Sequence, residues 1–328
     1  MASYNVGKFF IFLTIFYLFG YNFVFGINYW DSTYYISIAR HGYTSLQSQA
    51  FSPVFPFLIR IVHYVLPGGY FWYIISSLIV VNIFGEAFIL YLYKHRGHKI
   101  SILIGLFPVF LLFSTIPYSD DIALFFLAIS IESTDLISIG AFALALATFL
   151  NLAYALPSLA LKLKRWWLFV FPSIVGIIAV ALFWLYDGSP LMYFTIERKY
   201  WGVFFGNPVI QGGSIMSSYL HYGIPSIIFL IRNYIFLSIF FIGTFLLSRS
   251  RDRKSLFLTI YTISIELPLF FVVGVPEFSI PRLLLPAFPA LFPYADYIKT
   301  NRFLMFYIII GILLGSIFTI WQFKSFFS

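Results

Sequence analysis

The 328-residue chain is 61% hydrophobic and only 10% charged, carries a net charge of +8, and has no cysteine. Apolar blocks of about 15–25 residues recur along it, near the roughly 20 needed to cross a bilayer, and too little charge remains to cover a soluble domain of this size. The missing cysteine excludes disulfides, thiol catalysis and thiolate metal sites.

In chain order, the first apolar run, Phe9 to Ile27, is longer than the core of a cleavable signal peptide and has no small-residue cleavage site after it, so it reads as a retained first span. Further spans are expected at 70–93, 100–116, 120–134, 136–149, 152–162, 166–186, 222–247, 255–275, 282–298 and 303–322, with the first at 8–27. Between them lie the basic clusters KHRGHK (94–99), KLKR (162–165), RSRDRK (249–254) and KTNR (299–302). The positive-inside rule sends these loops to the cytoplasm. That topology holds if 53–66, PVFPFLIRIVHYVL, does not cross; with an arginine and a histidine inside it, a re-entrant or interfacial helix is expected there. The expected fold is therefore an all-α polytopic membrane protein with the whole chain, 1–328, as one integral-membrane domain. Insertion explains the positive charge without a nucleic-acid partner.

The outer side then holds a mixed set: Asp31, Arg40, Arg60, Asp120, Asp121, Asp187, Glu197, Arg198, Lys199, Glu277 and Arg282. Ionisable groups at span ends are costly unless paired, hydrated or functional, so an outer cavity that gathers them is expected. Four stretches carry them. In WDSTYYISIARHGY (30–43), Tyr34, Tyr35, Ile38 and Ala39 follow helical spacing after Asp31, and Gly42 supplies a stop. Asp31 reads equally as an N-cap beneath an interfacial aromatic belt, or as a base, and the two are compatible. The following AFSPVFPF (50–57) fixes a turn by its prolines and positions the next helix.

The second stretch is IPYSDDIALFF (116–126), where Ser119, Asp120 and Asp121 open a helix. One acid suffices for a cap, and two adjacent acids repel, which favours a site for a cation or for hydroxyls. The third, PLMYFTIERKYWGVFFG (190–206), sets Tyr193, Ile196, Tyr200 and Val203 on one face with Glu197, Arg198 and Lys199 between them, as in a helix lying on a membrane; a surface anchor is its plainer reading. The fourth is PEFSIPRLLLPAFPALFP (276–293), with Arg282 at the mouth of a proline-broken span. A guanidinium there holds a phosphate bidentately or snorkels to the interface.

These stretches, in this order, resemble the PIG-V family, membrane mannosyltransferases of the GPI pathway within the GT-C superfamily. Trp30, Asp31, Ile38, Ala39, His41, Gly42, Tyr43, Ala50, Phe51, Pro53 and Pro56 stand where the family pattern expects them. PYSDD matches a Pro-Tyr-Ser-acid pattern with Asp120 in the usual glutamate position, Tyr200 and Trp201 match a later aromatic pair, and Arg282 resembles an arginine before the last spans of prokaryotic members. Where the family often shows a Thr-Arg-Ser-Asn-Gly turn, this chain reads TFLNLAY (148–154), and the chain looks like a short prokaryotic member.

The resemblance implies a GT-C bundle of about 10–11 transmembrane segments and transfer of mannose or a related hexose from a dolichyl or polyprenyl phosphate sugar. The acceptor would be a hydroxyl of a lipid-linked or other glycan, with inversion, on the extracytoplasmic face of the plasma or endoplasmic reticulum membrane. It implies Asp31 as base and Asp120 as its partner or the orienter of the acceptor. It implies Arg282 for the lipid phosphate, with Lys199, Arg198 and His41 behind it. Trp30, Tyr34, Tyr43, Asp121, Tyr200 and Trp201 would meet sugar or prenyl tail. No cofactor is implied, and a divalent ion at Asp120 and Asp121 has no support in the sequence. His95 and His98 stand among lysine and arginine, poor company for a metal. Glu86 and Glu266 fall inside expected spans and read as interhelical hydrogen-bonders or cavity residues. The rival classes are a lipid-linked-sugar transporter or flippase, against which stands the lack of an internal repeat, and a non-catalytic assembly subunit.

Overall fold

The computed structural model describes residues 1–163, 170–187, 189, 192–201, 204–206, 224–250, 252–273, 276–298 and 300–324. Chain contacts divide it into two compact units, Met1–Asn151 with Val170–Val175 and Ala295–Ser328, and Leu152–Phe169 with Gly176–Tyr294.

The first unit holds α1 (Ala2–Phe19), α2 (Phe23–Ile27), α3 (Asp31–His41), α4 (Val54–His63), α5 (Tyr70–Arg96), α6 (His98–Gly105), α7 (Pro108–Phe113), α8 (Asp120–Glu132) and α9 (Asp135–Thr148). The second holds α10 (Leu156–Lys162), most of α11 (Val170–Asp187), α12 (Met192–Trp201), β1 (Phe204–Phe205), α13 (Ile224–Ser248), α14 (Arg253–Glu266), β2 (Val272–Val273) and α15 (Pro276–Leu283). The last helix, α16 (Asn301–Lys324), belongs to the first unit and packs along α1 and α7. Among the described residues, four helical stretches are long and apolar enough to cross a membrane: Ala2–Phe19, Tyr70–Arg96, Ile231–Ser248 and Asn301–Phe323. They expose large apolar side chains such as Phe9, Phe16, Phe303, Phe306 and Leu313, a surface that suits hydrocarbon and not water. The chain is an integral membrane protein.

Several expected spans are broken, each by identifiable backbone chemistry. The run at 8–27 is interrupted where Gly20 takes a φ of 54°, a conformation open mainly to glycine. The run at 100–116 is two short helices, because Pro108 at the start of α7 drives Phe107 into the extended region. A carbonyl released near that break, Leu103 O, accepts 2.7 Å from the Tyr307 hydroxyl of α16. The run at 282–298 is a 3-10 stretch, Leu285–Tyr297, buried along most of its length and with prolines at 289 and 293. The run at 255–275 ends as a helix at Glu266, before Pro268, and continues into β2, which pairs antiparallel with β1. Asp252 caps α14, accepting from the hydroxyls of Ser250 and Ser255 and from the Ser255 N–H, bonds that hold its carboxyl well below the usual range. Part of the 166–186 span, 164–169, lies outside the described residues.

The short helix expected within 53–66 is α4, ten residues long and amphipathic, with Phe55, Pro56 and Ile59 buried; at 1.5 Å per residue it is too short to cross. At the far end of α5, Arg96 donates to Glu132 at the end of α8, Nε to Oε1 at 2.6 Å. Within the second unit, Gly243 of α13 lies so close to the 3-10 stretch that a Cβ would stand 1.9 Å from Ala290 O, whereas at Gly140 of α9 a Cβ meets nothing within 4 Å. Gly243→Ala is therefore expected to cost about 1–3 kcal/mol and to lower the thermal midpoint of the detergent-solubilised protein, while Gly140→Ala leaves it unchanged or slightly higher.

Candidate functional site

The segment that leads into Asp31 is tightly shaped. Trp30 has a φ of 53°, unusual for a residue with a side chain, and its indole stacks on Phe323 of α16 at 4.8 Å. The Ser32 and Thr33 hydroxyls return to the carbonyls of Tyr29 and Trp30 at 2.8 and 2.7 Å, and Asn28 meets the Tyr70 hydroxyl. Trp30 occupies the cap position, and Asp31 is the first helical residue of α3, not its N-cap. The correction follows from the backbone: Asp31 already has helical geometry, and its carboxylate sits in the first turn, where the helix dipole favours an anion. Backbone strain of this kind, immediately before a half-buried acid, is a mark of functional positions.

The rest of α3 packs as its spacing indicates, with Tyr35, Ile38 and Ala39 buried and Tyr34 half-buried, and Gly42 ends it at a φ of 78°. Tyr34 stacks on Phe51 at 4.8 Å, and Tyr35 meets Phe51 and Phe55 edge-on at 5.1 Å each. Tyr43 donates to Phe51 O at 2.8 Å, and burial pushes its hydroxyl up. The Tyr34 hydroxyl is also pushed up, by desolvation and then by the charge of Asp31 one turn before it. Arg60 of α4 donates from Nε to Ala39 O in the last turn of α3, 2.9 Å away. The proline turn at 51–56 is thus clamped against α3, which positions the helix and carries no reactive group. His41 is exposed at the end of α3.

The start of α8 joins this packing. Ser119 Oγ and the Tyr35 hydroxyl meet at 2.8 Å, both buried. Tyr35 lies one helical turn from Asp31 on the same side of α3, and Ser119 directly precedes Asp120. One hydrogen bond therefore ties the helix that begins with Asp31 to the helix that begins with Asp120. Asp120 is 4% exposed and Asp121 is fully buried. The Asp121 carboxylate lies against α5 and α1: a Cβ on Gly85 would stand 2.6 Å from Asp121 Oδ2 and 2.8 Å from the Tyr4 hydroxyl. Neither Asp121 oxygen has a hydrogen-bond partner among the described residues.

The remaining candidates belong to the second unit. On α12, Ile196 is buried, Arg198 and Lys199 are exposed, and the Lys199 ammonium lies 5.2 Å from the Tyr200 ring. Trp201 closes α12, and Val203 lies outside the described residues. Arg282 stands in the last turn of α15, 7% exposed, directly after Pro281. The structure therefore brings Trp30, Asp31, Tyr34, His41, Tyr43, Asp120 and Asp121 into one unit and Arg198, Lys199, Tyr200, Trp201 and Arg282 into the other. Among the described residues, no three histidine or acidic side chains converge as a metal site would need.

Two buried cations were not singled out by the pattern of motifs. Lys8 of α1 is 4% exposed and donates to Asn82 Oδ1 of α5 at 2.7 Å. Arg232 of α13 is 3% exposed and reaches the side chain of its neighbour Asn233. A cation inside an apolar run is itself the signal that would have found Arg232, whereas Lys8 stands at the edge of its run. Glu266 lies buried with Oε1 accepting 2.7 Å from Thr244 of α13, as an interhelical hydrogen-bonder.

No protein-family model matches the chain, and no curated protein matches it. Among solved structures it is similar to ArnT from Cupriavidus metallidurans in the apo state, at 12% identity and a TM-score of 0.50 over 84% of this chain. It is also similar to the same protein bound to undecaprenyl phosphate, at 12% identity and a TM-score of 0.46 over 89% of this chain and 70% of that one. The chain spans 56% of the apo structure's length. The first of these likenesses shows the fold alone, an all-α polytopic membrane bundle similar to that of ArnT.

The bond between Tyr35 and Ser119 is expected to couple α3 to α8. Tyr35→Phe and Ser119→Ala should each destabilise by about 1 kcal/mol, and the double variant by less than their sum, as read from unfolding of the solubilised protein.

Proposed function

We propose that the chain is a membrane glycosyltransferase that takes a hexose from a polyprenyl phosphate sugar and passes it to an acceptor hydroxyl on the extracytoplasmic face. The observation that carries this reading is the hydrogen bond between Tyr35 and Ser119, which links the helix starts of Asp31 and Asp120. The fold similar to ArnT supports it, as does the order of the PIG-V-like motifs, which resemble a GT-C family. Mannose from dolichyl phosphate mannose is the donor those motifs favour, and a lipid-linked or other glycan is the acceptor class.

The chemistry balances with few groups. The acceptor oxygen attacks the anomeric carbon from the side opposite the phosphate, and its proton passes to the Asp31 carboxylate. The bond from that carbon to the phosphate oxygen breaks, and the polyprenyl phosphate leaves with the electron pair, so configuration inverts. A phosphate monoester is a good leaving group, so electrostatic holding of the departing charge matters more than a general acid. Asp120 is assigned to orienting the acceptor. Arg282 is assigned to the phosphate, with Lys199, Arg198 and His41 as further cations, since a guanidinium matches phosphate oxygens in pairs. Trp30, Tyr34, Tyr43, Tyr200 and Trp201 are assigned to sugar faces and prenyl tail. No resident metal has a role in this scheme.

Asp31→Asn is expected to lower transfer by about 10²–10⁴-fold, the usual worth of a positioned base, with normal insertion and yield. The assay is transfer of radiolabelled mannose from dolichyl phosphate mannose to endogenous membrane lipids and glycans at matched expression. Undiminished transfer by the variant would remove Asp31 from the reaction.

A further inference from the structure

Four polar side chains meet deep within the first unit, away from the motif residues of α3. Lys8 on α1 and Asn82 on α5 form a 2.7 Å hydrogen bond inside two stretches apolar and long enough to span a membrane. One turn away on each helix stand Tyr4 and Gly85, and the side chain of Asp121 from the first turn of α8 lies over Gly85. Lys8 is within electrostatic range of Asp121 and of Glu86. After its bond to Asn82 it retains two ammonium protons, while both Asp121 oxygens lack a donor among the described residues.

A carboxylate enclosed in this way keeps its charge only beside a countercharge, and removing the countercharge alone is then more damaging than removing the pair. Gly85 is what admits the carboxylate, because a Cβ there would stand only 2.6 Å from Asp121 Oδ2. The consequence reaches the candidate site through one peptide link, since Asp121 is followed by the body of α8 and preceded by Asp120 and Ser119. Adjacent helical residues point about 100° apart, so anchoring Asp121 toward α1 and α5 fixes the direction of Asp120.

We propose that Lys8 is a positioning residue: held by Asn82, it balances the buried Asp121 and thereby sets the charge and orientation of the α8 start that presents Asp120. The proposal assigns Asp121 to this internal balance and leaves Asp120 as the acid that meets the acceptor. It rests on the functional reading above only in the second part, the effect on transfer.

The test uses the full chain in nanodiscs, with Lys8→Met, Lys8→Arg, Asp121→Asn and the double variant Lys8→Met with Asp121→Asn. Thermal midpoint and initial rates of mannosyl transfer are measured on each. Lys8→Met is expected to lower kcat about tenfold or more, as misplacement of a reacting group does, with KM for the donor within about twofold of wild type, and Lys8→Arg to restore most of kcat. Adding Asp121→Asn to Lys8→Met is expected to raise the midpoint and recover part of kcat. If Lys8→Met does not fold, restored folding in the double variant supports the balance. Losses in midpoint that simply add in the double variant would overturn the charge balance, and wild-type kcat in Lys8→Met would overturn the positioning role. Were the wild type to transfer nothing, the functional reading would fall, and the midpoints alone would still decide the charge balance.

Discussion

The hydroxyls of Tyr35 and Ser119 lie 2.8 Å apart in a place closed to solvent, and the arrangement of both acids depends on that contact. A hydroxyl pair buried in an apolar bundle has no water to fall back on, so each oxygen is held where the other can satisfy it. Because Tyr35 shares a face of α3 with Asp31 and Ser119 adjoins Asp120, fixing the pair fixes the two helix starts together. The strained Trp30, the tyrosine clamp on Phe51 and the Arg60 bond to Ala39 O then hold α3 itself. On the opposite side of α8, the Lys8 and Asp121 balance turns the same helix start. The acid-bearing ends are thus set by buried contacts, among them Phe51 in the segment between α3 and α4.

Broken helices are the second constraint. Prolines at 108, 289 and 293 free carbonyls or remove N–H donors within the bundle, and an apolar environment requires those groups to be met locally. Tyrosines meet two of them: Tyr307 takes Leu103 O and Tyr261 takes Pro286 O at 3.0 Å, while Tyr294, on the 3-10 stretch itself, donates to Ile239 O of α13 at 2.6 Å. This gives some of the chain's 24 tyrosines a structural use beyond an interfacial belt. It also explains how short helices persist in a chain whose long helices are built to face lipid.

Much of this was legible in the residues themselves. The membrane class, the extent of α5 and α9, the brevity of α4, the stop at Gly42 and the opening of α8 at the paired acids all follow from apolar run length, glycine and proline placement and charge. The break inside 100–116 and the 3-10 course of 285–297 were not read, although the prolines that cause them are visible. Hydropathy windows average over such breaks, and only the partner tyrosines show that the broken backbone is affordable. The role of Trp30 in place of Asp31 as the cap was hidden because a positive φ at tryptophan has no sequence signature. Lys8 looked like the edge of a span, and its burial depends on Asn82 and Asp121, residues distant in sequence that no local pattern connects to it. The division of the candidates between two compact units was likewise invisible to motif order.

A transferase and a flippase for the same lipid-linked sugar differ in one bond, that between the anomeric carbon and the phosphate. The most direct measurement therefore gives the purified protein, in liposomes, a polyprenyl phosphate sugar labelled in both sugar and lipid together with a glycan acceptor, and follows the two labels separately. The account predicts one polyprenyl phosphate released for each sugar joined to the acceptor, with the anomeric configuration inverted. Movement of the intact lipid-linked sugar between leaflets, with both labels still joined, would contradict it.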